Sequence, residues 1–184
     1  MILEIMKRMM FAGVFVISLG ASAADFHLEA GFHQQAGEVT ATAANAKSQV
    51  GYQFGGIVNV DMGDAFGFRT GMMYVQRPLV SEVNGSETKY DLNYFDIPLT
   101  AQYRFADYAS VFAGLNLALN IDANASRGSV TDVKTPIMPF VLGATFKFAP
   151  QLGGTIYYET MSGDVANGLK NYRAVGFSLG IYFN

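Results

Sequence analysis

The sequence predicts an all-β chain, an eight-stranded antiparallel up-and-down transmembrane β-barrel, and three observations carry that prediction. Apolar and polar residues alternate with period two in eight stretches, the pattern of strands with two unlike faces. The connections between them alternate between tight turns and longer polar segments. The polar faces consist mainly of Gly, Ser, Thr, Asn and Gln, too small and too sparsely charged for a solvated surface. A soluble barrel or sandwich would carry Lys and Glu outside, so the apolar face is the better exterior here.

The first stretch, residues 26–34, sets Phe26, Leu28, Ala30 and Phe32 against His27, Glu29, Gly31 and His33. Residues 50–61 set Val50, Tyr52, Phe54, Val58 and Val60 against Gly51, Gln53, Ile57, Asn59 and Asp61. Residues 66–74 oppose Phe66, Phe68, Thr70, Met72 and Tyr74 to Gly67, Arg69, Gly71 and Met73. The fourth stretch, YFDIPLTAQYRF, places Phe95, Ile97, Leu99, Ala101, Tyr103 and Phe105 opposite Asp96, Pro98, Thr100, Gln102 and Arg104. Residues 111–121 and 140–148 follow, the latter with Lys147 on the polar face. The seventh stretch, GGTIYYET, puts Ile156 and Tyr158 opposite Thr155, Tyr157 and Glu159, and residues 175–183 end on Phe183. These lengths approach the roughly ten residues that a tilted membrane strand needs.

Tight turns at 62–65, 106–109 and 149–152 fall on one side, and polar loops near 35–47, 78–91, 122–137 and 161–171 on the other. With an even strand count, both chain ends lie on the short-turn side, the periplasm. Aromatics sort by depth under this topology. Phe66, Phe68, Tyr103, Phe105, Phe146, Phe148 and Phe183 form a girdle at the periplasmic ends, and Phe32, Tyr52, Tyr74, Phe95, Phe140 and Tyr158 lie nearer the loops. Pro98 lacks a ladder donor in a sheet that has no edge, so a local bulge or break in pairing is expected there.

Composition agrees. Of 184 residues 51% are hydrophobic and 15% charged, against about 25% charged in typical soluble domains. The chain has 20 Gly, 15 Phe and 10 Tyr but no Cys, so neither a lipoprotein anchor nor a disulfide framework is available. A net charge of -3 offers no footprint for nucleic acid. Residues 1–24 read as a secretory signal peptide: Lys7 and Arg8, an apolar core from Met9 to Leu19, then Ala21 and Ala23 before cleavage near Ala23 or Ala24. Met6 is the expected initiator, and residues 25–184 form the barrel domain.

The fourth stretch, together with VFAGLNLALNI, PFVLGATFKF and AVGFSLGIYF, resembles the small bacterial outer-membrane β-barrel proteins, the OmpX-like and PorT-like group. The resemblance covers nearly all of the exported chain. It implies insertion by the outer-membrane barrel assembly machinery, which reads an aromatic-rich last strand; here Asn184 follows Phe183. It implies no shared activity.

The inward charges are Glu29, Asp61, Arg69, Asp96, Arg104, Lys147 and Glu159, with Asp96 and Glu159 in the outer half. Eight strands leave an interior that side chains fill, so these charges read as a network plugging the lumen rather than lining a channel. His27 and His33 are six residues apart, about 20 Å along a strand, and cannot share a metal. A lipid A-modifying enzyme would need a histidine beside a serine or acid at the outer rim. His33 with Ser48 or Ser81 has no triad spacing, so no catalytic site, cofactor or metal is expected. The loops read as solvated segments in contact with lipopolysaccharide and outer-membrane lipids. The expected protein is thus a monomeric outer-membrane barrel with a structural or surface-interaction role, with a lipid A-modifying enzyme or a narrow solute channel as the alternatives.

Overall fold

A computed structural model describes residues 24–40, 44–83 and 85–183. Residues 1–24, read above as a signal peptide, lie outside the described residues except for Ala24. Ten strands follow in order: β1 (Ala24–Val39), β2 (Ala44–Lys47), β3 (Gln49–Asp61), β4 (Phe66–Val83), β5 (Ser86–Ala106), β6 (Ala109–Ala125), β7 (Phe140–Ala149), β8 (Leu152–Thr160), β9 (Asp164–Ala166) and β10 (Leu169–Phe183).

Eight of them form a closed ring in the order β1-β3-β4-β5-β6-β7-β8-β10, every neighbouring pair antiparallel. β10 closes it on β1 in continuous register from Phe26↔Phe183 to Ala36↔Arg173. Closure leaves no edge in the wall, so the backbone needs no solvent to satisfy it. Along β10 the period-two pattern is complete: Tyr172, Ala174, Gly176, Ser178, Gly180 and Tyr182 are buried, whereas Val175, Phe177, Leu179, Ile181 and Phe183 are exposed. Large apolar residues therefore cover the outer face and small or polar ones fill the inside, the reverse of a soluble protein.

The connecting segments are shorter than the sequence suggests. The stretch 78–91 is a hairpin and not a loop: β4 and β5 stay paired from Gln76↔Asn93 up to Val83↔Ser86. Its Ser, Glu, Thr and Lys content is that of a strand pair standing in water beyond the lipid. β2 adds to the free side of β4 from Ala44↔Val83 to Lys47↔Val80. Likewise β1 runs into the expected 35–47 loop, β6 enters the 122–137 loop, and β9 pairs with the start of β10 inside 161–171.

At Pro98 the ladder breaks on one side only. Toward β6, pairing is continuous through Pro98↔Asn116. Toward β4, it stops between Arg69↔Thr100 and Met73↔Asp96 and resumes in the same register, so no bulge forms. Gly71, across from Pro98 by that register, has φ +152°. A Cβ there would lie 2.2 Å from the Gly56 carbonyl oxygen; a missing donor on β5 thus faces a residue whose backbone only glycine adopts readily. Thr100 Oγ1 donates to the Arg69 carbonyl at 3.1 Å, covering one acceptor at the lower end of the gap.

The outer end of the barrel is filled by an apolar core. Leu79, Leu92, Tyr94 and Ala118 from the wall meet Ile137, Val165, Ala166, Leu169 and Tyr172 from the loop segments and the start of β10. Ile137 is held by a β-bridge to Ala118, and Lys134 N–H donates to the Val165 carbonyl at 2.8 Å. The segments 126–139 and 161–168 therefore fold across the mouth as a cap.

Candidate functional site

Charged side chains from across the barrel converge in its interior, which is built in three layers. The uppermost lies directly beneath the apolar cap. Arg77 of β4, 1% exposed, grips Asp96 of β5 through both ends of its guanidinium, at 2.9 and 2.6 Å. The same group reaches Glu159 of β8 at 2.8 Å and donates to the Tyr172 hydroxyl of β10 at 3.0 Å. Tyr172 in turn donates to Glu159, whose other oxygen accepts from Asn116 Nδ2 of β6 at 2.6 Å. The rings of Tyr94 and Tyr172 flank the guanidinium at 5.0 and 5.3 Å. Five strands thus meet in one cluster built around this cation, and the two tyrosines belong at once to the cluster and to the cap. Buried charges persist only when paired and hydrogen-bonded, and the planar fork of arginine suits two carboxylates.

In the middle layer Arg69 of β4 pairs with Glu29 of β1 at 3.0 Å and lies over the Phe112 ring at 4.6 Å. His27 and Thr155 also bond Glu29, at 2.9 and 3.0 Å. Nearby, Gln53 donates to Ser178 at 2.9 Å and accepts from Tyr157 at 2.6 Å. Between the upper and middle layers lies a chamber bounded by Glu29, Arg69, Asp96, Pro98, Phe112 and Glu159, among others. It offers ≈ 40 Å³ of room for water centres, enough for about three waters at roughly 10–15 Å³ each, and is not a bore.

The third layer is the periplasmic mouth. Arg104 pairs with Asp61, and Lys147 stands 3.6 Å from Asp25 and 4.6 Å over the Tyr182 ring. These side chains are 30 to 47% exposed.

The seven inward charges read from the sequence therefore do not form a single network. Asp96 and Glu159 serve the upper cluster, Glu29 and Arg69 the middle one, and Asp61, Arg104 and Lys147 the mouth. Sequence reasoning missed the hub. Arg77 falls past the last strand residue assigned in that stretch, although the inward phase of Arg69, Gly71 and Met73 continues through Val75 to Arg77. Tyr172 likewise lies between the expected 161–171 loop and the strand read at 175–183, although β10 already begins at Leu169.

The girdle residues Phe66, Tyr103, Phe105, Phe146, Phe148 and Phe183 are all exposed on the outer face, and Phe68 is half-buried. Phe66 packs on Tyr103 with ring centroids 5.2 Å apart, and Phe183 stacks on Phe26 at 5.7 Å. Higher up, Tyr74 stacks with Tyr52 and Phe54 and meets Phe95 edge-on. His33 is 3% exposed on the inner face. Among the described residues, no group of three His, Cys, Asp or Glu side chains is placed to hold a metal.

The family model for the outer membrane protein beta-barrel domain matches residues 18–184. Among solved structures, the fold is similar to Ail, the attachment invasion locus protein of Yersinia pestis, in complex with the heparin analogue sucrose octasulfate. That match has a TM-score of 0.53 and 12% identity, and covers 88% of this chain and 99% of that one. Neisserial surface protein A matches with a TM-score of 0.52 and 15% identity, over 88% of this chain and 100% of that one. OprG from Pseudomonas aeruginosa matches at 0.50 and 12% identity, over 88% and 97%. Identities this low speak for the fold alone. No curated protein matches the sequence.

Proposed function

Since the chain belongs to the outer membrane protein β-barrel family, and its barrel thus sits in the outer membrane, we propose that it serves there as a structural or surface-interaction protein with a closed lumen. One observation carries the reading: Arg77, Asp96, Glu159, Tyr172 and Asn116 join five strands across the bore directly under an apolar cap. An ion crossing this layer would have to break bonds among buried charges, and the cap above offers it no polar partner. The reading is non-enzymatic: His33, the rim-side histidine, is turned into the barrel away from lipid.

What remains available to partners is the outer surface. The β4–β5 hairpin stands above the lipid band with Lys47 clasped between Glu82 and Glu87 at 2.9 and 2.5 Å. With one lysine between two glutamates, this tip does not favour a polyanion of the kind bound by Ail.

Planar-bilayer recording tests the closure. The wild-type protein is expected to give no steady openings, and Arg77→Ala to give them by leaving Asp96 and Glu159 to draw in water. Ion-selective steady conductance from the wild-type barrel would overturn the reading in favour of a channel.

A further inference from the structure

One sequence pattern is absorbed by neither wall, plug nor cap. The chain contains two Asn-x-Ser tripeptides, Asn84-Gly85-Ser86 and Asn124-Ala125-Ser126, and each has an acidic residue two positions before the asparagine, Glu82 and Asp122. Asn-x-Ser/Thr marks an acceptor of N-linked sugar in exported chains, the hydroxyl two residues on helping to seat the asparagine amide. An acid two residues before adds a carboxylate with which a cationic side chain of a modifying enzyme can form a charge-assisted hydrogen bond. With 15 acidic residues in 184, an acid meets that offset by chance at about one position in twelve, so its presence in both tripeptides is notable. Asn84 lies outside the described residues; the structural argument concerns Asn124.

Asp122 and Asn124 stand at the outer end of β6, beyond the register shift opposite Asn93 and Tyr94, and Ser126 follows just past its last residue. All three are exposed, whereas the intervening Ala123 packs against the apolar cap. Extended backbone sets alternate residues on one face about 6.5–7 Å apart, so Asp122 and Asn124 share the solvent side, and a sugar carried by Asn124 meets neither wall nor cap. Ser126 keeps its place through bonds with Lys89, donating N–H to its carbonyl at 2.8 Å and accepting from its N–H at 2.9 Å.

We propose that Asn124 is an N-glycosylation site, modified after export by an oligosaccharyltransferase that uses a lipid-pyrophosphate-linked oligosaccharide. The Nδ2 of Asn124 forms a bond to the anomeric carbon of the sugar, and the bond from that carbon to the pyrophosphate oxygen breaks. The lipid pyrophosphate leaves with the electron pair, and the amide proton passes to a base on the transferase. No redox step is involved. Asp122 serves recognition, not bond making.

The folded chain fixes the timing. Asn124 Nδ2 donates to Asp122 Oδ2 at 2.6 Å, and Asn124 is paired with Asp91 in the β5–β6 ladder. The acceptor is therefore offered only before the barrel folds, while the exported chain is extended in the periplasm. After folding, the sugar projects from the outer end of β6 into water, clear of the core and of the lipid band.

Mass spectrometry of the protein purified from outer membranes of its own host tests this. The tryptic peptide from Phe105 to Arg127 is expected to carry the added mass of an oligosaccharide and to release sugar fragment ions. Asn124→Gln and Ser126→Ala are each expected to abolish the addition, and Asp122→Asn to cut occupancy at least tenfold. Heat-modifiable migration of each variant on unboiled gels shows that the barrel still folds. A peptide found wholly unmodified, or sugar that persists on it in Asn124→Gln, would overturn the proposal.

Discussion

The two ends of the lumen use the same materials in opposite ways. At the outer end, Arg77 is shut between two carboxylates, two tyrosine rings and an apolar cap. At the periplasmic end, Arg104 and Lys147 meet Asp61 and Asp25 one to one in an open mouth. A cation facing acids is a structural keystone in the first setting and an ordinary exposed pair in the second. The difference is solvent access, which sets both the strength of the attraction and the cost of leaving either partner alone.

The sharpest way to break the comparison is to remove the outer cation. Arg77→Leu strands Asp96 and Glu159 without a countercharge, and a loss of about 3–5 kcal/mol is expected. Urea unfolding in detergent, followed by heat-modifiable migration, measures it. A loss no greater than that of Arg104→Ala would erase the distinction between the two ends.

Ile137→Ala, in the cap, comes next, with a loss of about 2–5 kcal/mol and looser closure over Arg77. It separates the seal from the ions beneath it: equal stability to wild type would mean the cap is not part of the core. Tyr172→Phe keeps the ring beside Arg77 but removes the hydroxyl that joins Arg77 to Glu159. A loss of about 1–3 kcal/mol is expected in the same unfolding assay. Arg104→Ala sets the lower reference, at about 0–1 kcal/mol, because water replaces the lost partner of Asp61.

This contrast also explains which parts were legible in the sequence. The wall was legible because a membrane barrel imposes period two on every strand, and lipid favours apolar residues on one face. Asp61, Arg104 and Lys147 were legible as inward charges from their phase at strand ends, but their pairing, with Asp25 as the partner of Lys147, was not. Nor was the outer half. There the rule that the inward face is polar gives way, since Leu79, Leu92 and Tyr94 point inward to meet the cap. Pro78 and the Ser-Glu-Val-Asn-Gly-Ser-Glu run look like a loop because the hairpin stands in water, where neither face is constrained by lipid. Ile137, Val165 and Leu169 are isolated apolar residues in polar segments, and only the folded chain brings them together.

The smallest expected effect lies outside both ends, where β2 clips onto the β4–β5 hairpin. Lys47 bonds Glu87 and Glu82, which raises its ammonium above the ordinary lysine range. The same contact with Lys47 holds the Glu87 carboxyl below its ordinary value. A carboxyl depressed in the folded chain adds stability above its unfolded value and loses it as pH falls through the folded one. A raised lysine acts in reverse, losing its contribution only as pH rises past the ordinary lysine range. The clip is therefore strongest between those limits and loosens in acid, and salt weakens it because all three groups are exposed to water. Amide protection factors for residues 44–47 are expected to fall between about pH 7 and about pH 3, while those around Arg77 hold. Uniform loss of protection in both places would show that hairpin and plug melt as one unit, and the barrel's outer half would then have to be described as a single cooperative block.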